Sequence, residues 1–383
     1  MTNLLALTPR REELLRAYRS VRAVTEALVE PLEPEDMVVQ SMPDVSPTKW
    51  HLAHTTWFFE TLVLARGGQP YTRFHEDYHE LFNSYYESLG HPYPRARRGL
   101  LSRPTVREVR AYRRHVDQAL VALVEGAPEE LVVELAPTLT IGLHHEEQHQ
   151  ELLLTDVKHV LAQSPLRPAY RSPPPRAARQ APRQEWISFE GGVVEVGASA
   201  RGFAFDNERP RHSVLLRPFE LARRPVTCGE YLAFVADGGY RRPELWLADG
   251  WSLVQKEGWQ APLYWEEDGD CWRVTTLGGL RDVEPDEPVC HVSYYEAQAF
   301  AAWSGQRLPG EHEWEHAARQ SSFSGTFLED GTLHPAPRAP FRRTGSRSSS
   351  SATCGSGRRA RTRPTRTTSP SKASFASTTG SSW

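Results

Sequence analysis

Two histidines four residues apart, His145 and His149, sit in the run HHEEQHQELLLTDVKH between His144 and His159. On a helix that spacing puts both side chains on one face, one turn apart, so both imidazoles can reach one ion. His144 points about 100° away, and Glu146 and Glu147 fall on other faces. The apolar run Leu152-Leu153-Leu154 makes the cluster the end of a buried helix, where polar groups aimed into a bundle need a partner. A third donor is best sought upstream, in Trp50-His51-Leu52-Ala53-His54-Thr55-Thr56-Trp57-Phe58-Phe59-Glu60, whose two histidines are three apart and near one face. Either is a possible ligand or a core histidine. Three neutral imidazoles without a carboxylate leave about three positions of an octahedral ferrous ion open, whereas zinc is usually tetrahedral with one water. His145-Glu146-Glu147-Gln148-His149 also fits H-E-x-x-H, the zinc-hydrolase pattern in which Glu146 is the general base. Against it stand the lack of a preceding edge strand to align a peptide and of a downstream G-x-x-H or glutamate helix. The plainest alternative is a solvated polar helix with incidental histidines.

Four segments carry apolar residues at three- and four-residue spacing between Arg10 and Gln163, namely REELLRAYRSVRAVTEALVEPL, KWHLAHTTWFFETLVLARG, SRPTVREVRAYRRHVDQALVALVEG and PEELVVELAPTLTIGLHHEEQHQELLLTDVKHVLAQ. They predict an all-α four-helix bundle over 1–163. Ser46-Pro47 and Ser102 with Pro104 read as helix starts. Residues 164–185 are rich in proline and arginine and read as a linker. From Trp186 short alternating runs, frequent Gly and Pro, and two helical segments near CGEYLAFVADGG and SYYEAQAFAAWSG predict an α+β domain over 186–337.

A length of 383 residues with 39% hydrophobic content is enough for two cores. No run of 18 or more apolar residues occurs and the N-terminus lacks a signal-peptide pattern, so a soluble, cytoplasmic protein without membrane partners is expected. Cys228, Cys271, Cys290 and Cys354 form no C-x-x-C pair, which leaves any iron or zinc to His and carboxylate. The net charge of −3 is uneven. Residues 338–383 hold ten basic and no acidic residues, leaving 35 basic against 48 acidic before them, a body that is a poor nucleic-acid binder.

The motifs W-H-L-A-H-T-T-W-F-F-E, F-N-S-Y-Y, R-G-L-L-S-R-P-T and H-H-E-E-Q-H-Q-E-L-L-L-T-D, followed by F-D-N-E-R-P-R-H, P-V-T-C-G-E-Y-L-A-F-V-A-D-G-G-Y, R-P-E-L-W-L-A-D-G-W and P-V-C-H-V-S-Y-Y-E-A, resemble the ergothioneine-biosynthesis sulfoxide synthases. These non-haem iron enzymes join a DinB-like four-helix bundle to a formylglycine-generating-enzyme-like (sulfatase-modifying-factor, C-type-lectin-like) domain. The resemblance covers about residues 10 to 336 and implies a metal site of His54, His145 and His149 for Fe(II), which leaves His51 as either a support for a ligand or a structural residue. It implies thiol-substrate binding by arginines after the second helix, where Pro94-Arg95-Ala96-Arg97-Arg98 offers Arg95 and Arg98, whose planar forks suit carboxylates. It points to Tyr85 and Tyr86 as tyrosines near the iron, one of them a proton donor. The implied reaction uses O2 to join the sulfur of cysteine or γ-glutamylcysteine to C2 of hercynine and to oxidise that sulfur to a sulfoxide. Asparagine in the family's P-V-T-N is Cys228 here, and no paired cysteines occur late in the domain, so copper-dependent formylglycine generation is not expected. A non-catalytic remnant that keeps the metal bundle without turnover is a further alternative.

Residues 338–383 depart from this pattern as a Ser/Arg/Thr-rich string that reads as disordered. With permitted codons, a one-base shift across Gly345 to Arg358 reads Q-P-Q-Q-L-F-G-D-V-W-E-W-T, and the same shift across Phe375 to Trp383 reads R-E-Y-N-G-K-F-M, both resembling late motifs of the family. A frameshift upstream of Ser346 is the expectation, with loss of closing strands and an inactive chain as its consequence.

Overall fold

The computed structural model describes residues 11–68, 70–84, 92–174, 180–321 and 325–337. Tyr85, Tyr86, Cys354 and the whole stretch 338–383 lie outside the described residues. The described residues fall into two compact units. One holds those up to Pro173 with Arg201–Phe203 and Arg273–Arg281, and the other holds the remainder.

The first unit is built on four long helices: α1 (Arg11–Val29), α2 (Thr48–Leu62), α4 (Val106–Gly126) and α5 (Glu129–Ala162), with a short α3 (Tyr78–Leu81) between the second and third of them. On α1 the buried residues Leu14, Leu15, Tyr18, Val21, Arg22, Thr25, Leu28 and Val29 recur at helical spacing, and α4 repeats the pattern with Val109, Tyr112, Arg113, Val116, Leu120 and Leu123. α2 differs, because every residue from Thr48 to Glu60 is buried. A helix without a polar face belongs in the middle of a bundle, and α2 lies against both α4 and α5. α5 runs on for 34 residues despite Pro137 in its third turn.

The start of α4 differs from the sequence expectation. Thr105, not Ser102, is the cap: its hydroxyl accepts from the Glu108 amide at 3.2 Å, and the Glu108 carboxylate accepts from the Thr105 amide at 2.7 Å. A Thr-x-x-Glu box satisfies two orphan amides at once, which Ser102 has no glutamate to match. Within 164–174, Tyr170 is buried; its hydroxyl donates to the Leu28 carbonyl at 2.5 Å and its amide to Leu277 at 2.9 Å.

In the second unit β1 (Trp186–Phe189) pairs antiparallel with β4 (Phe219–Ala222), and β2 (Gly192–Val196) with β3 (His212–Leu216). β5 (Trp265–Asp268), β6 (Cys271–Thr276) and β7 (Gly279–Asp282) form a three-stranded sheet, of which Arg273–Arg281 group with the first unit. Helices α6 (Cys228–Ala236) and α8 (Tyr294–Trp303) carry capping boxes, Thr227 with Glu230 and Ser293 with Glu296. They pack around Tyr231, Phe234, Tyr240, Trp246, Val254 and Ala299, while Phe189, Leu216, Phe219 and Ala317 form a smaller core under the strands. α7 (Ala248–Glu257) and α9 (Glu311–Ala318) are helices the sequence reading did not anticipate. ADGWSLVQKE and EHEWEHAA are short and largely polar, so their buried face is too narrow to show as a period.

Candidate metal centre

α2 and α5 bring three imidazoles together. One ring nitrogen from each of His54, His145 and His149 lies within 4.8 Å of the others, and the ring centroids are 4.6 to 4.9 Å apart. Nitrogens sharing one ion through bonds of about 2.1 Å stand roughly 3 Å apart, so the three donors would draw together on binding one. Among groups of three or more His, Cys, Asp or Glu in the described residues, this is the one with a metal-holding geometry.

Each ring is oriented by its surroundings. His54 is sandwiched between two indoles, Trp50 at 4.6 Å and 14° and Trp57 at 5.5 Å and 11°. Its Nδ1 lies 2.6 Å from the Phe82 carbonyl, which can only accept, so Nδ1 carries the proton and Nε2 keeps its lone pair. The Nδ1 of His149 is 2.9 Å from the Nδ1 of His51, whose Nε2 is 2.9 Å from Asp156 Oδ2. Asp156 Oδ2 also accepts the Ser46 amide at 2.8 Å. Both nitrogens of His51 are thereby engaged, which puts it beside the triad and not among its donors. His145 packs against the Phe58 ring at 4.9 Å, and its Nδ1 is buried without a hydrogen-bond partner among the described residues. An orphaned buried nitrogen is costly unless something else takes its lone pair, and a cation would.

Desolvation holds all three rings neutral. It drives His54 and His149 well below the ordinary histidine range, with His145 adding to the effect on His54 and His54 and His51 to that on His149. His145 is lowered to about 4, chiefly by desolvation against the opposing pull of Glu146. Neutral imidazole is the ligating form, so the donor set suits a borderline divalent metal such as iron or zinc.

A DinB superfamily model matches residues 17–153, and a sulfatase-modifying factor enzyme 1-like domain model matches residues 171–383. The chain is 34% identical over 319 residues to the hercynine oxygenase of Mycolicibacterium thermoresistibile, covering 83% of this chain and 68% of that one. It is 32% identical to the hercynine oxygenase of Mycobacterium tuberculosis, covering 82% and 71%. The formylglycine-generating enzyme of Streptomyces coelicolor is similar over a shorter stretch, at 33% identity over 184 residues, 45% of this chain and 58% of that one. The chain belongs to the hercynine oxygenase family. Its architecture is the family's, a DinB-like helical domain followed by an α+β domain of the sulfatase-modifying-factor type.

The H-E-x-x-H reading is not favoured in this hercynine oxygenase family member, and Glu146 shows why. Glu146 is 0% exposed and turned away from the imidazoles into the core between α1 and α4, where Oε2 accepts from Arg22 Nη1 at 2.9 Å and Oε1 from Arg113 Nη2 at 2.6 Å and Thr25 Oγ1 at 2.7 Å. Burial alone would raise its pKa, but Arg113 and Arg22 hold it down to about 2. A carboxylate so engaged has neither the position nor the basicity to deprotonate a metal-bound water.

Arg95 and Arg98, both on the 3-10 turn Arg95–Leu100, have different settings. Arg95 is exposed, and its carbonyl accepts from Gln40 Nε2 at 2.8 Å. Arg98 is 3% exposed, its guanidinium lying 3.3 Å over the Trp50 ring and donating to Ser46 Oγ at 2.9 Å and Ser84 Oγ at 3.2 Å. Its charge contributes to the lowered pKa of His54 and His149. Asp156 escaped the sequence reading although it lies seven residues after His149, two helical turns along the same face. Trp50 and Trp57 were visible as aromatic neighbours of His54 but gave no sign of enclosing it. Among the described residues no helix is long and apolar enough to cross a membrane.

Proposed function

We propose that the chain is a non-haem iron(II)-dependent sulfoxide synthase that joins the sulfur of cysteine or γ-glutamylcysteine to C2 of hercynine with O2, a cytoplasmic step of ergothioneine biosynthesis. The observation that carries this reading is the neutral three-imidazole cluster, with no carboxylate among its donors. Membership of a family whose relatives are hercynine oxygenases supplies the substrate class. In this reading 1–163 is the metal-holding bundle, 164–185 the linker, 186–337 an incomplete second domain, and 338–383 the product of a frameshift.

His54, His145 and His149 hold the ion, which when bound supplies electrons to dioxygen and open positions beside its substrates. Overall, the S–H bond of the thiol and the C2–H bond of hercynine break while C–S and S–O bonds form, and the second oxygen atom leaves as water. The protein's part is positioning. Trp50 and Trp57 keep the His54 ring from turning, and Phe82 keeps its proton on Nδ1. Arg98, buried beside the cluster, and the exposed Arg95 receive substrate carboxylate. Tyr85 or Tyr86 supplies a proton to the reacting oxygen.

Anaerobic purification, metal analysis and oxygen uptake with hercynine and each thiol test the proposal, on this chain and on a version with its tail in the other frame. Hercynine- and thiol-dependent uptake requiring iron, lost in His54→Ala, is expected from the restored version. Tightly bound zinc with no hercynine-dependent uptake from either version would overturn it.

A further inference from the structure

The hydrogen-bond chain beside the triad has a direction, and its direction is set at one end. An ionised carboxylate can only accept, so Asp156 Oδ2, 2.9 Å from His51 Nε2, places the His51 proton on Nε2. The Ser46 amide, donating to the same oxygen at 2.8 Å, holds that carboxylate in place. His51 Nδ1 is then a bare lone pair and must accept from His149 Nδ1 across 2.9 Å. With its proton committed to Nδ1, His149 has one nitrogen left to offer, Nε2. Reversing any link would reverse the next and leave a proton on the nitrogen that should ligate.

We infer that His51 and Asp156 form a positioning pair, fixing through two hydrogen bonds the tautomer and ring angle in which His149 meets the metal. The inference rests on the proposed three-histidine metal site. It goes further in giving a task to two residues outside the donor set, the second of them on the same helix as the histidine it controls. The pair works by supplying an acceptor, not by supplying charge. Asparagine at position 156 can place its carbonyl oxygen where Oδ2 now meets both the Ser46 amide and His51 Nε2–H, so the direction survives the loss of charge. Alanine at 156, or leucine at 51, removes the acceptor from the chain. Leucine at 51 has the further use of leaving the Ser46–Asp156 bond intact, which separates the effect on His149 from any on the start of α2.

Two measurements test this on the full chain. The first is nitrogen-15 spectroscopy of the imidazoles without metal: the parent and Asp156→Asn should show His149 protonated at Nδ1, and His51→Leu a mixture of tautomers. The second is Co(II) affinity, measured by chelator competition and d–d absorption. It should fall about 10- to 100-fold in His51→Leu and Asp156→Ala and stay within a few-fold of the parent in Asp156→Asn. An Nε2-protonated His149 in the parent, or full Co(II) affinity in a folded His51→Leu, would refute the inference, as would an Asp156→Asn as weak as Asp156→Ala, since charge would then be the agent. The metal-site reading fails separately, if His54→Ala binds Co(II) as the parent does; the tautomer measurement uses no metal and judges the pair either way.

Discussion

Replacing Glu146 with glutamine tests whether this residue belongs to the chemistry or to the core. In the parent its two oxygens meet two guanidinium groups and a hydroxyl at 2.6 to 2.9 Å, all at buried positions. Glutamine keeps one oxygen and turns an NH2 toward a guanidinium, donor against donor, in surroundings that water does not reach. Breaking a buried ion pair by removing one partner costs about 3–5 kcal/mol. The low end applies here, because each arginine retains a second carboxylate: Asp117 lies 2.8 Å from Arg22 Nε and Glu26 lies 2.7 Å from Arg113 Nε, both partly exposed. A loss of about 3 kcal/mol corresponds to a fall in melting temperature on the order of 10 °C for a unit of this size. Urea and thermal unfolding of the full chain, followed by helical circular dichroism, measure it. A general base in solvent contact would behave in the opposite way, leaving stability intact and removing activity alone. A Glu146→Gln chain within 1 kcal/mol of the parent would refute the reasoning.

A methyl group added at Gly142 would stand 2.6 Å from Phe59 Cε1 and 2.8 Å from Phe58 Cε1, and Phe58 packs on His145. Gly142→Ala is therefore expected to lose about 1–3 kcal/mol by overpacking and to weaken Co(II) binding; unchanged melting and affinity would contradict the packing described. In the second unit, burial pushes the Glu230 carboxyl up, but paired bonds from Arg224 at 2.8 Å and the Thr227 cap outweigh it and leave the pKa below 4.5. A carboxylate lowered in the fold stabilises above its unfolded pKa and loses that contribution as pH falls through its folded value. The parent should thus lose more stability than Glu230→Gln on acidification below pH 4.5, and parallel urea midpoints across that range would refute the assignment.

The bundle was legible because its helices are long and their burial follows a 3.6-residue period, and His145 and His149 because i, i+4 spacing on a helix is itself a geometric statement. Asp156 was legible in principle by the same arithmetic, two turns beyond His149. What spacing could not show was where Glu146 points. H-E-x-x-H looks the same whether its glutamate faces a metal or a pair of arginines, and those arginines, Arg22 and Arg113, are 124 and 33 residues away. Arg95 and Arg98 posed a related difficulty. Three residues apart in one basic cluster, they differ in burial because only Arg98 finds an indole face and two serine hydroxyls. The choice of Thr105 over Ser102 as a cap turned on a single glutamate at the correct offset.

Arg98, Trp50, His54 and Trp57 are four flat groups laid face on face, from the guanidinium down to the second indole. Plates in series have little give, so a tilt imposed on the top one is felt at the bottom. In the proposed reading the linkage would be symmetric: an ion that stills His54 would also steady the posture of Arg98, and a guest drawn to Arg98 would firm the imidazole's grip on that ion. Neither occupant would then need to come first, yet each would find a looser seat when it arrived alone.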